Sequence, residues 1–237
     1  MSEVLILKTG TTLDPLRARR GDYEDWIVAG LGVSAQAVRV VAVFEGESLP
    51  GPESPAAVVV TGSSAMVSER APWSETAAAW LRHAAHAGTP VLGICYGHQL
   101  LGHALGGHVG ANPRGREMGT VRVDLCAAGR DDALLGSLGG PLRVQATHLE
   151  SLLELPPGAT LLAGSAADPH HAFAWGTRAW GVQFHPEFDA DVMRAYLEAR
   201  REILRSEGID PDALVREVAE TPQGPELLRR FAALCGL

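Results

Sequence analysis

Cys95 lies in the run Gly93-Ile94-Cys95-Tyr96-Gly97-His98-Gln99, after the apolar segment Val91 to Ile94. It heads a helical pattern that carries Leu100, Leu101, Ala104 and Leu105 on one side. A thiol on a strand-to-helix turn is the setting of a nucleophile elbow. The flanking glycines meet a steric need, because the turn is tight and neighbouring side chains would clash with the sheet. The helix N-terminus adds a dipole and free N–H groups that favour a thiolate. Such a nucleophile needs a proton shuttle, and Val182-Gln183-Phe184-His185-Pro186-Glu187-Phe188 supplies one. Glu187, two residues beyond His185, can fix the imidazole tautomer and stabilise the imidazolium. His-Pro-Glu alone could be a turn. Together with the elbow, it makes a Cys95–His185–Glu187 set suited to attack on a carbonyl carbon.

Attack on a carbonyl also requires an oxyanion hole. The backbone N–H of Tyr96, directly after the nucleophile, is one donor. A second is expected from the turn after another strand. Thr61-Gly62-Ser63-Ser64 ends the apolar run Ala56 to Val60, and Gly62 allows close backbone approach.

The two runs Gly-Ile-Cys-Tyr-Gly-His-Gln and Gln-Phe-His-Pro-Glu resemble those of the class I (triad) glutamine amidotransferases, and above all those of stand-alone proteins similar to the amidotransferase domain of GMP synthase. The resemblance extends from about Val4 to Tyr196. It implies hydrolysis of the glutamine side-chain amide through a γ-glutamyl thioester on Cys95, with His185 and Glu187 completing the triad and no cofactor. It also places Gln99 beside a glutamine pocket and Gly62 and Ser63 in the oxyanion turn, although Ser63-Ser64 stands where family members often have Gly-Pro. Thr147-His148 and Arg114-Gly115-Arg116-Glu117 resemble family segments bordering the pocket. A separate synthetase subunit would accept the ammonia. Two other readings stay open: a γ-glutamyl peptidase or hydrolase acting without transfer, and an inactive binding or regulatory protein that retains the triad.

The elements that must position these groups alternate. Val4 to Leu7, Val38 to Phe44, Ala56 to Val60 and Val91 to Ile94 are short apolar runs, as expected of strands buried on both faces of a parallel sheet. Helical patterns lie between them at Arg17 to Leu31 and Pro72 to Ala87. The second repeats Trp73, Ala77, Trp80, Leu81 and Ala84 on one face. From about Gly119, alternating runs around Val121–Leu125, Leu142–Gln145, Leu161–Leu162, Ala172–Trp175 and Gly181–Phe184 predict added antiparallel strands. The remainder reads as helical. Asp189 would cap a helix bearing Val192, Tyr196, Ala199 and Ile203, and Pro211 and Pro222 would open two more. The expected architecture is α/β: a flavodoxin-like, doubly wound, mostly parallel sheet with added antiparallel strands and a helical C-terminal tail. Residues 1–237 are expected to form one amidotransferase-like domain, with a helical extension over about 205–237.

Composition narrows the alternatives. The 237 residues carry a net charge of −8, which argues against a nucleic-acid or anionic-membrane partner. Three cysteines, Cys95, Cys126 and Cys235, make neither a disulfide framework nor a CxxC zinc pair. No metal site is expected, and His83, His86, His170 and His171 read as solvated. Gly30-Leu31-Gly32-Val33-Ser34-Ala35 matches a dinucleotide fingerprint in letters, but it follows a helix and precedes a strand, the reverse of the required order. No P-loop is present. With no signal-peptide pattern and no apolar stretch long enough to span a membrane, a cytoplasmic protein is the expectation.

Overall fold

The structure is a computed structural model and describes residues 3–237. The first half of the chain runs β1 (Val4–Lys8), α1 (Asp14–Arg20), α2 (Tyr23–Leu31), β2 (Val38–Ala42), β3 (Ala57–Val60), α3 (Pro72–His86), β4 (Val91–Ile94) and α4 (Tyr96–Ala104). It continues through β5 (His108–Ala111), β6 (Glu117–Leu125), α5 (Ala127–Asp131), β7 (Leu142–His148), β8 (Glu150–Glu154), β9 (Ala159–Gly164), β10 (Ala172–Trp175) and β11 (Ala179–Val182). Helices α6 (Ala190–Ala199), α7 (Arg201–Ser206), α8 (Pro211–Glu217) and α9 (Gln223–Leu234) follow. No helix among the described residues is long and apolar enough to cross a membrane.

The main sheet has the order β2-β1-β3-β4-β11-β10-β9-β6-β7. The first five strands are parallel. Their order is the flavodoxin-like 2-1-3-4-5, with β11 in the fifth place. The other four strands add antiparallel. Because β11 comes late in the chain yet pairs with β4, the segments that follow these two strands emerge side by side at one edge of the sheet. The Cys95 N–H donates to the Val182 carbonyl at 2.9 Å and locks that neighbourhood.

The central strands are buried on both faces, which explains their unbroken apolar character. Val4, Ile6, Ala57 and Val59 pack on one side with α2, α6 and α9. Leu5, Leu7, Val58 and Val60 pack on the other with α3 and α4.

Several boundaries differ from the sequence reading. The single helix expected over Arg17 to Leu31 is two, because Gly21 has φ +80° and Asp22 starts α2 with a capping box to Asp25. Val43 and Phe44 leave β2 for a short 3-10 turn, and β11 ends at Val182, so Phe184 lies beyond it. β6 begins at Glu117, four residues before the alternation is visible. β5 and β8, which pair as a small separate sheet over α4, have no counterpart in the sequence pattern. Asp189 caps α6 as its position predicts, its carboxylate accepting from the Val192 N–H. The helix then breaks at Arg200, so Ile203 falls on α7 and is 43% exposed. Gly32, inside the rejected fingerprint, is the left-handed C-cap of α2 at φ +71°.

Candidate active site

Cys95 stands between β4 and α4 at φ 52° and ψ −103°, a conformation that an L-residue adopts only under strain. The surrounding glycines make the turn possible. A Cβ on Gly93 would collide with the Gly97 carbonyl, and one on Gly97 would collide with the Val60 carbonyl. The Gly97 N–H is committed to the Thr61 carbonyl at 3.2 Å. That bond fastens the first turn of α4 to the turn after β3. The sulfur lies 3.9 Å from the Thr147 carbonyl.

His185 arrives just past β11. Its N–H donates to the Gln145 carbonyl at 2.8 Å, so β7 fixes the main chain there. Its Nδ1 is 2.7 Å from Glu187 Oε1, and both side chains are shut off from solvent. The ring stacks on Phe188 with centroids 4.0 Å apart and planes 17° from parallel. Burial disfavours the imidazolium, but the negative charges of Glu187 and Cys95 outweigh it and push the pKa up to about 10. A protonated histidine beside the Cys95 sulfur is placed to give a proton to a leaving group.

Gly62 touches the imidazole. A Cβ on it would sit 2.8 Å from His185 Cε1. The turn is pinned from β1: the Thr9 N–H donates to Thr61 Oγ1 at 3.0 Å, and the Thr9 hydroxyl reaches the Gly62 carbonyl at 3.0 Å. Ser63 lines the hollow on both sides of Cys95. Tyr96, whose N–H is the other expected oxyanion donor, buries its ring against Trp73, and its hydroxyl meets Ser74 Oγ at 2.6 Å. Burial raises the Tyr96 pKa to about 12, which keeps it neutral.

Gln99 is buried in the first turns of α4. Its Nε2 donates to the Glu150 carbonyl at 2.8 Å and to Gln183 Oε1 at 3.0 Å, which fixes the amide orientation and leaves Oε1 as the acceptor. The Arg116 and His148 segments both border this side of Cys95. Arg116 makes two bonds to Glu207, at 2.9 and 3.0 Å. His148 contacts Glu117 Oε2 through Nε2 at 2.9 Å and the Glu150 carbonyl through Nδ1 at 2.9 Å.

The structure thus brings together all seven residues singled out from the sequence. It also corrects one expectation. His83 and His86 are exposed, but His171 is fully buried and places Nε2 2.7 Å from Glu117 Oε2. Glu117, His148 and His171 hold ligand atoms within 4.8 Å of one another, a spacing a metal could use. The Glu117 carboxylate is filled by both imidazoles and by Ser165 Oγ at 2.7 Å. Against the effect of burial, these partners hold its pKa well below the usual carboxylate range. No sequence signal marks His171, since its two partners lie more than twenty residues away. Nor does any mark Lys8, the only lysine. It pairs with Asp22 at 2.9 Å and Glu24 at 2.5 Å, and Asp22 in turn accepts from the Thr12 N–H on the wall of the site.

The sheet order, the cysteine elbow and the buried histidine–glutamate pair are of the amidotransferase type, and comparison with known proteins shows the family. Residues 24–201 match the family model for glutamine amidotransferase class-I, and the chain belongs to that family. It is 35% identical over 189 residues to a glutamine-hydrolyzing GMP synthase of Aeropyrum pernix, covering 78% of this chain and 32% of that protein. It is 34% identical over 157 residues to one subunit of the glutamine-hydrolyzing GMP synthase of Thermococcus kodakarensis, covering 66% of this chain and 65% of that one. The chain therefore spans about a third of the first relative and just under two thirds of the second. A glutamine amidotransferase crystal structure from Thermotoga maritima superposes with a TM-score of 0.78 over 99% of this chain and 98% of that one, at 24% identity, and shares the fold.

Proposed function

We propose that this chain hydrolyses the side-chain amide of glutamine to glutamate and ammonia, and that it delivers the ammonia to a separate synthetase subunit. The Cys95 thiolate adds to the amide carbon. The Tyr96 N–H and the Gly62–Ser63 turn receive the developing oxyanion. His185 protonates the departing nitrogen, and the C–N bond breaks to leave a γ-glutamyl thioester and ammonia. His185, now neutral, takes a proton from water, which adds to the thioester. Glutamate leaves as the Cys95–carbon bond breaks. Glu187 holds the imidazole in place throughout, and Gln99 Oε1 accepts from the substrate ammonium. No step needs a cofactor. Residues 1–237 act as one amidotransferase-like domain, with the C-terminal helices packed back on the sheet.

The observation that carries this reading is the buried His185–Glu187 pair set beside a strained cysteine elbow. Glutamate release by the purified chain tests it. Wild type should release glutamate from glutamine, and Cys95→Ala should not. A Cys95→Ala variant retaining a tenth of the turnover would remove Cys95 from the mechanism.

One feature favours a second reading, a γ-glutamyl peptidase. The hollow on the His185 side of Cys95 is about 320 Å³. Ammonia needs only about the ~30 Å³ share of a water molecule.

A further inference from the structure

Two hollows meet at Cys95. One, about 320 Å³, is lined by His185, Tyr23 and Tyr196; the other, about 90 Å³, is lined by Tyr96, Gln99 and Arg116. The chemistry proposed above assigns them. The leaving group must sit with the proton donor, His185, and the glutamyl half must sit with Gln99 and the Tyr96 N–H. Arg200 lies on the wall of both.

Its guanidinium is held in place by a stack of rings. Arg200 is the C-cap that follows α6, and its Cζ lies 4.8 Å from the centroid of Tyr196. Tyr196 packs on Phe188 at 5.0 Å, and Phe188 on His185 at 4.0 Å. The Tyr196 hydroxyl is tied to Tyr23 at 2.6 Å and to Thr12 at 2.8 Å. The cation thus sits at the far end of a rigid stack that terminates in the proton shuttle. Arg200 Nη1 is buried and has no hydrogen-bond partner. Leaving a charged donor buried and unpaired is costly, and a guanidinium can only donate. The neighbouring charges do not serve it. Glu207 is occupied by Arg116 through both oxygens, and Asp14 pairs with Arg17 at 2.9 Å.

We propose that Arg200 is a substrate-binding residue whose guanidinium takes a carboxylate of the γ-glutamyl substrate. The inference rests on the reading of Cys95 as a γ-glutamyl hydrolase nucleophile. A planar guanidinium is matched to a carboxylate, and an anion completes the charge that the pocket leaves open. The carboxylate has two possible sources. Every γ-glutamyl compound carries one on its α-carbon, and a γ-glutamyl amino acid carries another on its leaving half.

The test compares wild type with Arg200→Ala and Arg200→Lys on glutamine, glutamine α-amide, γ-glutamylglycine and γ-glutamylmethylamide. Arg200→Ala should raise KM about 10- to 100-fold for the substrate whose carboxylate it holds, with kcat changed far less. Arg200→Lys should recover part of that loss, and it reads the site should the alanine variant fold poorly. Loss of the preference for glutamine over its α-amide assigns the α-carboxylate. Loss of the preference for γ-glutamylglycine over γ-glutamylmethylamide assigns the leaving half. Retention of both preferences overturns the proposal. A titration that needs no turnover separates it from the reading it rests on. γ-Glutamylglycine, which carries both carboxylates, should bind Cys95→Ser and bind at least tenfold more weakly to Cys95→Ser/Arg200→Ala. If wild type cleaves none of the four compounds, the hydrolase reading falls while this titration still decides Arg200. Equal binding by the two variants, or none by either, overturns the role of Arg200.

Discussion

Glu187 Oε1 lies 2.7 Å from His185 Nδ1, and neither side chain reaches solvent. The contact assigns the ring. Nδ1 carries the proton toward the carboxylate, which leaves Nε2 for the chemistry. It also ties protonation to folding. His185 has its pKa raised from 6.5 to about 10, so the folded protein binds this proton more tightly than the unfolded chain. The stabilisation is fully present below the unfolded value and is lost as the pH rises through about 10. Denaturant melts of wild type should lose stability between pH 6.5 and 10. Glu187→Gln should show a shallower decline over the same window. Parallel curves would show that Glu187 is not what holds the proton.

The same pair sets an order of catalytic losses. On the proposed mechanism His185 moves protons and Glu187 positions it, so His185→Ala should cost more turnover than Glu187→Gln, by roughly 10- to 100-fold. Steady-state rates of glutamate release from the two variants check this. Equal losses, or a larger loss at Glu187, would show the roles to be wrongly assigned.

What the sequence discloses depends on how locally each feature is encoded. The elbow is legible because Gly93, Cys95 and Gly97 lie within five residues and both glycines answer a steric demand that the structure displays. The parallel half of the sheet is legible because β1, β3 and β4 are apolar on both faces. β5 is not, since His108-Val109-Gly110-Ala111 has neither length nor alternation, and only its pairing with β8 makes it a strand. His171 reads as solvated in the sequence because its partner Glu117 is 54 residues away. Arg200 is invisible for a similar reason. A helical pattern runs through it in the sequence, and the break that places it over Tyr196 exists only in three dimensions.

The strain at Cys95 can be measured. At φ 52° a residue with a Cβ pays about 1–3 kcal/mol that glycine avoids. Cys95→Gly and Cys95→Ala should both be inactive. The glycine variant should be the more stable of the two by about 1 kcal/mol, against the usual cost of adding a glycine. Thermal melts of the pair decide it, and an alanine variant as stable as the glycine variant would mean that the elbow stores no strain.

Cys95 should be alkylated by iodoacetamide before the other two cysteines at neutral pH. It faces the His185 imidazolium at a hollow that admits small molecules. Burial pushes the Cys235 thiol up to about 11, and Cys126 Sγ is engaged with the Leu161 carbonyl at 2.9 Å. Peptide mapping of briefly treated folded protein reads the order. Modification of Cys126 or Cys235 first would count against the thiolate. Cys126→Ala and Cys235→Ala should leave turnover within about twofold, since neither lines the hollows at Cys95.

The fate of the ammonia separates the two readings of the site. Joining an amide nitrogen to a carbonyl or a ring requires activation, commonly by ATP. The sequence has no P-loop, and the sheet with its covering helices takes up nearly all of the described residues. The matched relatives frame the choice. The Aeropyrum pernix protein is about three times the length of the matched part, whereas the Thermococcus kodakarensis relative is itself one subunit of its enzyme. An amidotransferase chain working with a separate synthetase gains nothing from hydrolysing glutamine when that partner is absent, so the isolated chain should cleave glutamine slowly and show no preference for γ-glutamyl peptides. A peptidase needs no partner, and its roomy leaving-group hollow should be used at full rate. The deciding measurement is kcat/KM for glutamine and for γ-glutamyl peptides with the purified chain alone. A peptide value above about 10⁵ M⁻¹s⁻¹, far exceeding that for glutamine, would place this chain among efficient hydrolases and overturn ammonia delivery as its task.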